Sequence, residues 1–100
     1  MRCKGMNRAE AKFQAALRDL GCIVCHVFDN VTSPAEIHHC LSGGRRMGEM
    51  YVLPLCMQHH RSGRNDSECV SRDHNQRRFE ARYGTEMSLL AKSRELIGLD

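Results

Sequence analysis

The sequence predicts a small α+β domain that is stabilised by zinc and flanked by amino-terminal and carboxy-terminal helices. Three observations support this fold class: apolar residues recur with helical spacing near both ends, two short runs around Gly43 and Gly44 suggest a β-hairpin, and cysteine pairs with nearby histidines lie between the helices. With 100 residues and no tryptophan, the chain can form one small core, which a bound metal would stabilise. We therefore expect one domain over residues 1–100, with its core at about 21–86 and with residues 1–6 disordered.

The first predicted element is an amphipathic helix over residues 7–20. Asn7 is a favourable N-cap, and Glu10 completes a capping box. Gly21 ends the helix as a C-terminal cap. The apolar face consists of Phe13, Ala16, Leu17 and Leu20.

The residue pattern in the middle of the chain predicts a turn at residues 22–25, an irregular stretch at 27–34 and then a hairpin. Residues 36–40 form the first strand, residues 42–46 the glycine loop at the tip, and residues 49–53 the second strand, which Pro54 ends. A short helix beginning near Leu55 or Cys56 carries His59 and His60 and ends at residues 62–63.

Two further helices are predicted after a polar loop at residues 65–73. Residues 74–83 form a helix in which Phe79 and Tyr83 are an i, i+4 pair, and Gly84 ends it. Thr85 caps a last helix, whose apolar side contains Met87, Leu89, Leu90, Leu96 and Ile97.

Charge and cysteine content narrow the possible classes of protein. The net charge of +3 is mild, but many arginines follow the first histidine pair, among them Arg45, Arg46, Arg61, Arg64, Arg72, Arg77 and Arg78. Arginine side chains suit phosphate oxygens, but acidic residues in the same region balance their charge, which is also typical of an ordinary solvated surface. Residues 1–6 contain no apolar run, so we expect no signal peptide, no membrane anchor and a reducing cytoplasm. In that compartment, cysteines with paired spacings favour metal binding over disulfides.

The spacing of the cysteines predicts a closed, tetrahedral zinc site. Cys22 and Cys25 form one pair at ligand spacing, and Cys56 with His59 forms the second. His60 is the alternative fourth ligand. We interpret the three other cysteines as small buried hydrophobes, and His26 as a surface or hydrogen-bonded core residue; those cysteines are Cys3, Cys40 and Cys69.

Four more histidines exceed what one structural zinc site requires: His38, His39, His60 and His74. Successive side chains of a strand point to opposite faces, so His38 and His39 can have different roles. One can bind a metal while the other binds a water molecule.

This combination of motifs resembles the His-Asn-His (HNH), or ββα-metal, endonucleases, and more closely the phage recombination-enhancement (Ref) nucleases. The matching features are Cys-x-x-Cys at 22–25, His-His at 38–39, the glycine loop, Pro-Leu-Cys-x-x-His-His at 54–60 and the late His74. The stretch Phe-Glu-Ala-Arg-Tyr-Gly-Thr-Glu at 79–86 is also similar to that family. The resemblance covers residues 21–86.

The resemblance implies a DNA endonuclease or nickase in which His39 is the general base. His38, His60 and His74 would hold a catalytic divalent cation, Mg²⁺ or another, separate from the structural Zn²⁺. Arg45, Arg46 and Arg61 would hold the DNA backbone. It further implies a phage-encoded or prophage-encoded protein that acts, in a bacterial host, on DNA bound by the recombinase filament. The middle asparagine of the motif is missing and Tyr51 stands near its place, so a backbone carbonyl is expected to orient the base.

Two other classes of function are compatible with the residues. The first is a non-catalytic, zinc-stabilised module that binds nucleic acid, in which the extra histidines pack or bind a second structural ion. The second is a metal-stabilised domain for protein interaction, which would expose an apolar patch on the terminal helices. The histidine pair beside a loop rich in glycine and arginine favours the nuclease.

Overall fold

Three α-helices, four short strands and two π-helical segments form the part of the chain that the computed structural model describes, which is residues 6–62, 70–73 and 75–98. The elements in chain order are α1 (Arg8–Leu20), the first π-helical segment (Cys25–Asp29), β1 (Glu36–His39), β2 (Leu41–Ser42), β3 (Arg45–Arg46), β4 (Val52–Leu55), the second π-helical segment (Gln58–Ser62), α2 (Gln76–Tyr83) and α3 (Glu86–Leu96). The predicted α+β class is confirmed. The expected disorder at residues 1–6 falls outside the described residues, except for Met6.

The predicted capping of α1 is confirmed at both ends. The Asn7 side chain accepts a hydrogen bond from the Glu10 amide at 2.8 Å, and the Glu10 carboxylate accepts one from the Asn7 amide at 3.0 Å. Gly21 ends the helix with φ of 87°. A Cβ at Gly21 would lie 2.7 Å from the Ser33 carbonyl oxygen, so only glycine fits where the chain turns toward Cys22.

The central sheet pairs β1 with β4 in antiparallel register, His38 opposite Leu53. β2 and β3 extend this ribbon, and Gly43 and Gly44 join them with φ of 62° and 81°. Positive φ at both positions is what a tight two-residue turn requires, so the predicted hairpin with a glycine tip is confirmed. The predicted loop of residues 42–46 is too long, because Ser42, Arg45 and Arg46 pair as strand residues. Between the two pairs, Cys40 bonds Tyr51 on one side and Met47 on the other, so residues 48–50 loop out of the ladder.

The second predicted strand was wrong at both ends. It begins at Val52 rather than at residue 49 because residues 48–50 loop out, and it continues through Pro54 to Leu55. The Cys40 amide donates to the Tyr51 carbonyl, so Cys40 and Tyr51 form a hydrogen-bonded pair. Hydrogen-bonded and non-hydrogen-bonded pairs alternate along antiparallel strands, and this makes Ile37 and Pro54 a non-hydrogen-bonded pair. Because the Pro54 nitrogen faces away from β1, its missing N–H costs no ladder bond.

Three other predicted boundaries need correction. Residues 23–24 are helical and lead into the first π-helical segment, so residues 22–25 are not a simple turn and the irregular stretch begins only after Asp29. The helix after β4 starts at Met57 and becomes π-helical over Gln58–Ser62. α2 begins at Gln76, because the Asn75 side chain accepts from the Arg78 amide as an N-cap.

The core lies around β4, all of whose residues are buried. Successive strand residues face opposite sides, so both faces of β4 are covered; the strand contacts α1 and α3. Phe79 and Tyr83 of α2 are also buried. None of the helices in the described ranges is long and apolar enough to cross a membrane.

The apolar side predicted for α3 is only partly correct. Leu89 and Leu90 are buried, and Thr85 caps the helix as predicted. Met87 and Leu96 are 43% and 41% exposed. The buried stripe of α3 instead includes two polar residues, Glu86 and Ser93, which follow the helical spacing of Leu89 and Leu90.

We expect Gly21→Ala to lower the free energy of unfolding by about 3 kcal/mol, because it combines a left-handed backbone with a backbone clash. The matched control is Gly43→Ala, where φ is also positive but nothing lies within 4 Å of the added Cβ. The control should lose only about 1 kcal/mol. Urea denaturation at constant zinc measures both values, and equal losses would contradict the role of the Ser33 contact.

Candidate active site and metal centre

Three cysteines and one histidine converge where the start of the first π-helical segment meets the end of β4. The Nδ1 atom of His59 lies 3.6 Å from the sulfurs of Cys22 and Cys25 and 3.2 Å from that of Cys56. The sulfurs of Cys25 and Cys56 are 3.8 Å apart. Donors around a tetrahedral zinc ion stand about 3.5–3.8 Å from one another, given its usual bond lengths. The cluster can therefore hold a metal such as zinc.

Protonation within this cluster is uneven. The hydrogen bond from the Cys22 thiol, followed by that from His59, lowers the pKa of Cys56 to about 3. The same pairing, together with burial, raises the pKa of Cys22, and burial raises that of Cys25. One thiolate is thus already favoured, and a bound cation would favour the others.

Tyr83 packs edge-on against the His59 ring, with the ring centroids 5.3 Å apart, and restrains the orientation of that ring.

A second group of possible metal ligands contains His38, His60 and Asp73. The Nδ1 atom of His38 is 3.3 Å from Nε2 of His60, which is 3.9 Å from a carboxylate oxygen of Asp73. The Arg72 amide donates to the His59 carbonyl at 2.7 Å, and the Asp73 amide donates to the His60 carbonyl at 3.0 Å. These backbone bonds hold Asp73 beside the second π-helical segment.

Each imidazole of this second group has a carboxylate on its other nitrogen. Nε2 of His38 is 2.6 Å from Glu86, which also accepts from Arg72 at 2.7 Å. Nδ1 of His60 is 2.8 Å from Glu36. A carboxylate on the far nitrogen fixes the tautomer and leaves the near nitrogen able to bind a cation, an arrangement common around metal-bound histidines.

The supporting carboxylates are held in their charged form. Arg61 binds both oxygens of Glu36, at 3.0 and 2.7 Å, and this pair followed by His60 lowers the pKa of Glu36 to about 2. Burial raises the pKa of Glu86, but the bonds from His38 and Arg72 outweigh it and the net shift is downward. Both carboxylates can therefore accept hydrogen bonds at neutral pH.

His39 faces the other side of β1, as the alternation of strand side chains predicts. Its Nε2 is 3.1 Å from Oε1 of Glu49, in the loop of residues 48–50. The Gln14 side chain of α1 donates to the carbonyl oxygen and to Oε1 of Glu49, at 2.8 and 3.0 Å. We expected a backbone carbonyl to orient His39, and the structure has the Glu49 carboxylate in that position.

The remaining predicted residues have different surroundings. His59, and not His60, lies with the cysteines, which answers the alternative that the sequence left open. Arg45 and Arg46 are exposed beside the hairpin tip, whereas Arg61 is 53% exposed and paired with Glu36. His74, Cys3, Cys69 and Arg64 lie outside the described residues. Cys40 is fully buried, as predicted, and Tyr51 is 41% exposed.

Four carboxylates were missed by the sequence analysis: Glu36, Glu49, Asp73 and Glu86. Acidic side chains are frequent on surfaces, so their presence alone does not indicate a site. Asp73 lies next to the predicted ligand His74, which is a usable signal. Glu86 is 48 residues from His38 and has no comparable signal.

The comparisons with known proteins give one finding. The sequence profile of a family described as "Recombination enhancement, RecA-dependent nuclease" matches residues 7–98. A search among curated proteins found no match. The matched range includes every residue of both clusters, and the resemblance to the Ref nucleases is thereby confirmed. The chain belongs to the family of recombination-enhancement, RecA-dependent nucleases and is therefore a nuclease, which makes it an enzyme.

Proposed function

We propose that the protein is a metal-dependent DNA endonuclease or nickase of the HNH, or ββα-metal, type, with His39 as its general base. The observation that carries this proposal is the separation of the histidines into two groups, one of them shared with three thiols and the other backed by carboxylates. β1, β4 and the second π-helical segment would form the ββα-metal unit.

The cysteine cluster is proposed to be a structural zinc site. Three thiols and one imidazole leave no position for a substrate on a tetrahedral ion, which is the usual composition of a closed site. Zinc bound there would join the chain after α1 to the chain after β4, across an interval of 31 to 37 residues.

The group of His38, His60 and Asp73 is proposed to hold the catalytic cation. The Asp73 carboxylate suits Mg²⁺ and Mn²⁺, and the two imidazoles extend the set to softer divalent ions such as Fe²⁺ and Ni²⁺. Three protein donors leave positions for water and a phosphate oxygen. His74 adjoins Asp73 in the sequence, and its predicted role as a further ligand stays a prediction. A cation bound there would stabilise the negative charge that develops on the phosphate.

The proton chemistry is assigned to His39. With Nε2 bonded to Glu49, Nδ1 is the nitrogen that can accept a proton from the attacking water. The water oxygen then forms a bond to phosphorus, the ester P–O bond breaks, and the departing oxygen takes a proton from solvent. His38 and His39 are adjacent on β1 but face opposite sides of it, so the proposal requires a phosphate that lies across the end of the strand and contacts both the cation and His39.

DNA binding is proposed for the hairpin tip. Arg45 and Arg46 are exposed, and guanidinium groups there can pair with phosphate oxygens without breaking a described ion pair. Arg61 would bind phosphate only through the face that Glu36 leaves open. The family description supports a requirement for RecA, so we propose that the substrate is DNA within the RecA filament. The cytoplasmic, phage-encoded setting stays a prediction.

The alternative of a non-catalytic binding module is not retained, because the family match makes the chain a nuclease. A structural ion at His38 and His60 would account for their carboxylate partners. It would not account for His39, which has its own carboxylate on the other face of β1.

We expect His39→Ala to lower DNA cleavage by about 10²- to 10⁴-fold, because the variant has no group to accept the proton. The assay uses DNA in RecA filaments with Mg²⁺ or Mn²⁺, and binding of the DNA should be unchanged. The matched control is His26→Ala, since His26 belongs to neither cluster. Cleavage by His39→Ala at the parental rate would contradict the assignment of the base.

We expect Asp73→Ala to raise the Mn²⁺ concentration for half-maximal cleavage by about tenfold or more, because one of three proposed ligands is lost. Zinc content should stay at the parental value. Asp29→Ala is the control, as Asp29 ends the first π-helical segment outside this group. An unchanged metal requirement in Asp73→Ala would remove Asp73 from the cation site.

We expect Cys56→Ala to abolish tight zinc binding and to lower the free energy of unfolding by more than about 4 kcal/mol, as loss of a structural metal does. Elemental analysis and urea denaturation measure the two effects. Cys40→Ala should keep its zinc, because Cys40 lies apart from the four-donor cluster. A Cys56→Ala protein with a full equivalent of zinc would refute the ligand set.

A further inference from the structure

We propose that Gln14 and Glu49 are positioning residues for His39, so that the amino-terminal helix α1 forms part of the catalytic machinery. The chain of contacts runs from Gln14 to Glu49 and from Glu49 to His39. This inference rests on the proposed function, in which His39 is the base.

The contacts between α1 and the loop of residues 48–50 restrain both the backbone and the side chain of Glu49. The Gln14 amide nitrogen donates to the Glu49 carbonyl at 2.8 Å and to its Oε1 at 3.0 Å. Oε1 is also the oxygen that lies 3.1 Å from Nε2 of His39. One carboxylate oxygen therefore accepts from both partners, and displacement of Gln14 would release the loop as well as the carboxylate.

The position of Gln14 suggests that this contact has a role other than stability. Gln14 is 2% exposed and lies between the buried Phe13 and Leu17 of α1. An amide at such a position costs free energy unless it is hydrogen-bonded, whereas an apolar side chain of the same size would pack there without that requirement. The hydrogen-bond donors of the Gln14 amide are satisfied by Glu49, which in turn contacts His39.

The consequence for His39 is a fixed ring with a defined tautomer. Glu49 can only accept, so Nε2 of His39 carries the hydrogen and Nδ1 keeps its lone pair. Among the described residues, the hydrogen-bond partner of His39 lies at Nε2, which leaves Nδ1 for water. The bonds from His39 and then Gln14 lower the pKa of Glu49, which keeps this acceptor ionised at neutral pH.

The loop itself makes an outside support necessary. Met47 and Tyr51 both form backbone hydrogen bonds with Cys40, and residues 48–50 between them lie outside the ladder. Gly48 has φ of 132°. A loop outside the ladder has few backbone bonds of its own and samples more conformations than a strand. The Gln14 bonds tie this loop to a capped helix.

The experiment compares Glu49→Ala, Glu49→Gln and Gln14→Met in the full chain, with RecA-filament DNA and saturating cation. Glu49→Ala should lower kcat by about 10- to 100-fold and Gln14→Met by about fivefold, with KM unchanged, because only the orientation of the base is lost. Glu49→Gln should stay within about threefold of the parent, since its amide oxygen can accept both hydrogen bonds. Glu95→Gln is the matched control, because Glu95 is an exposed glutamate of α3 whose carboxylate pairs with Lys92.

A second measurement does not depend on cleavage. Nitrogen NMR shifts of the His39 ring in the zinc-loaded protein should report the Nε2–H tautomer in the parent and in Glu49→Gln. In Glu49→Ala and Gln14→Met they should report a mixture of tautomers. Glu49 is partly exposed and Gln14→Met conserves volume, so the variants should fold, which their thermal unfolding and zinc content verify.

The possible outcomes separate this inference from the proposed function. Parental cleavage by His39→Ala overturns the base and this inference with it. Slow cleavage by His39→Ala with parental kcat in Glu49→Ala and Gln14→Met overturns the positioning chain alone. Glu49→Gln as slow as Glu49→Ala, or losses that appear in KM and not in kcat, also overturn it. In the His39→Ala background, Glu49→Ala should have no further effect if it acts through His39.

Discussion

The convergence of Cys22, Cys25, Cys56 and His59 on one point is the constraint on which the other contacts depend. It joins the chain just after α1 to the chain just after β4, and the central strands lie between these two ends. Only 5% of the residues of the chain are aromatic, so burial gives a small domain limited stability, and a metal bound at this point would add to it. His59 then brings its neighbour His60 to the face of β1 that carries His38.

Polar contacts inside the core connect the remaining elements to that point. His38 of β1, Glu86 of α3 and Arg72 share one buried set of hydrogen bonds, and the two carboxylate contacts of Glu86 are 2.6 and 2.7 Å long. A charge this buried is tolerated only when each partner is satisfied, so loss of any one of them would leave the others costly. α3 therefore does more than cover the sheet, because it supplies the carboxylate behind a proposed metal ligand.

Consecutive histidines have different surroundings because of the backbone that carries them. On β1, alternation points His38 toward α3 and His39 toward Glu49, which α1 holds through Gln14. In the second π-helical segment, His59 faces the thiols while His60 faces His38, since adjacent helical residues point in different directions. Each pair thus contributes to two separate groups, and a one-residue shift in the register of β1 would exchange the faces of His38 and His39.

Local patterns in the sequence were sufficient to predict the α+β class, the capped first helix, the glycine-tipped hairpin, the family and the three cysteines of the four-donor cluster, because each depends on spacing or on residue types with a specific chemistry. Only the folded chain reveals that Glu36, Glu49 and Glu86 contact the histidines, that Gln14 contacts Glu49, and that β4 continues through Pro54. The physical reason is that a carboxylate or amide acquires its role from the group it contacts, and those contacts join residues 10 to 48 positions apart. Local patterns carry no record of such pairings, whereas a cysteine pair or a helix cap is complete within a few residues.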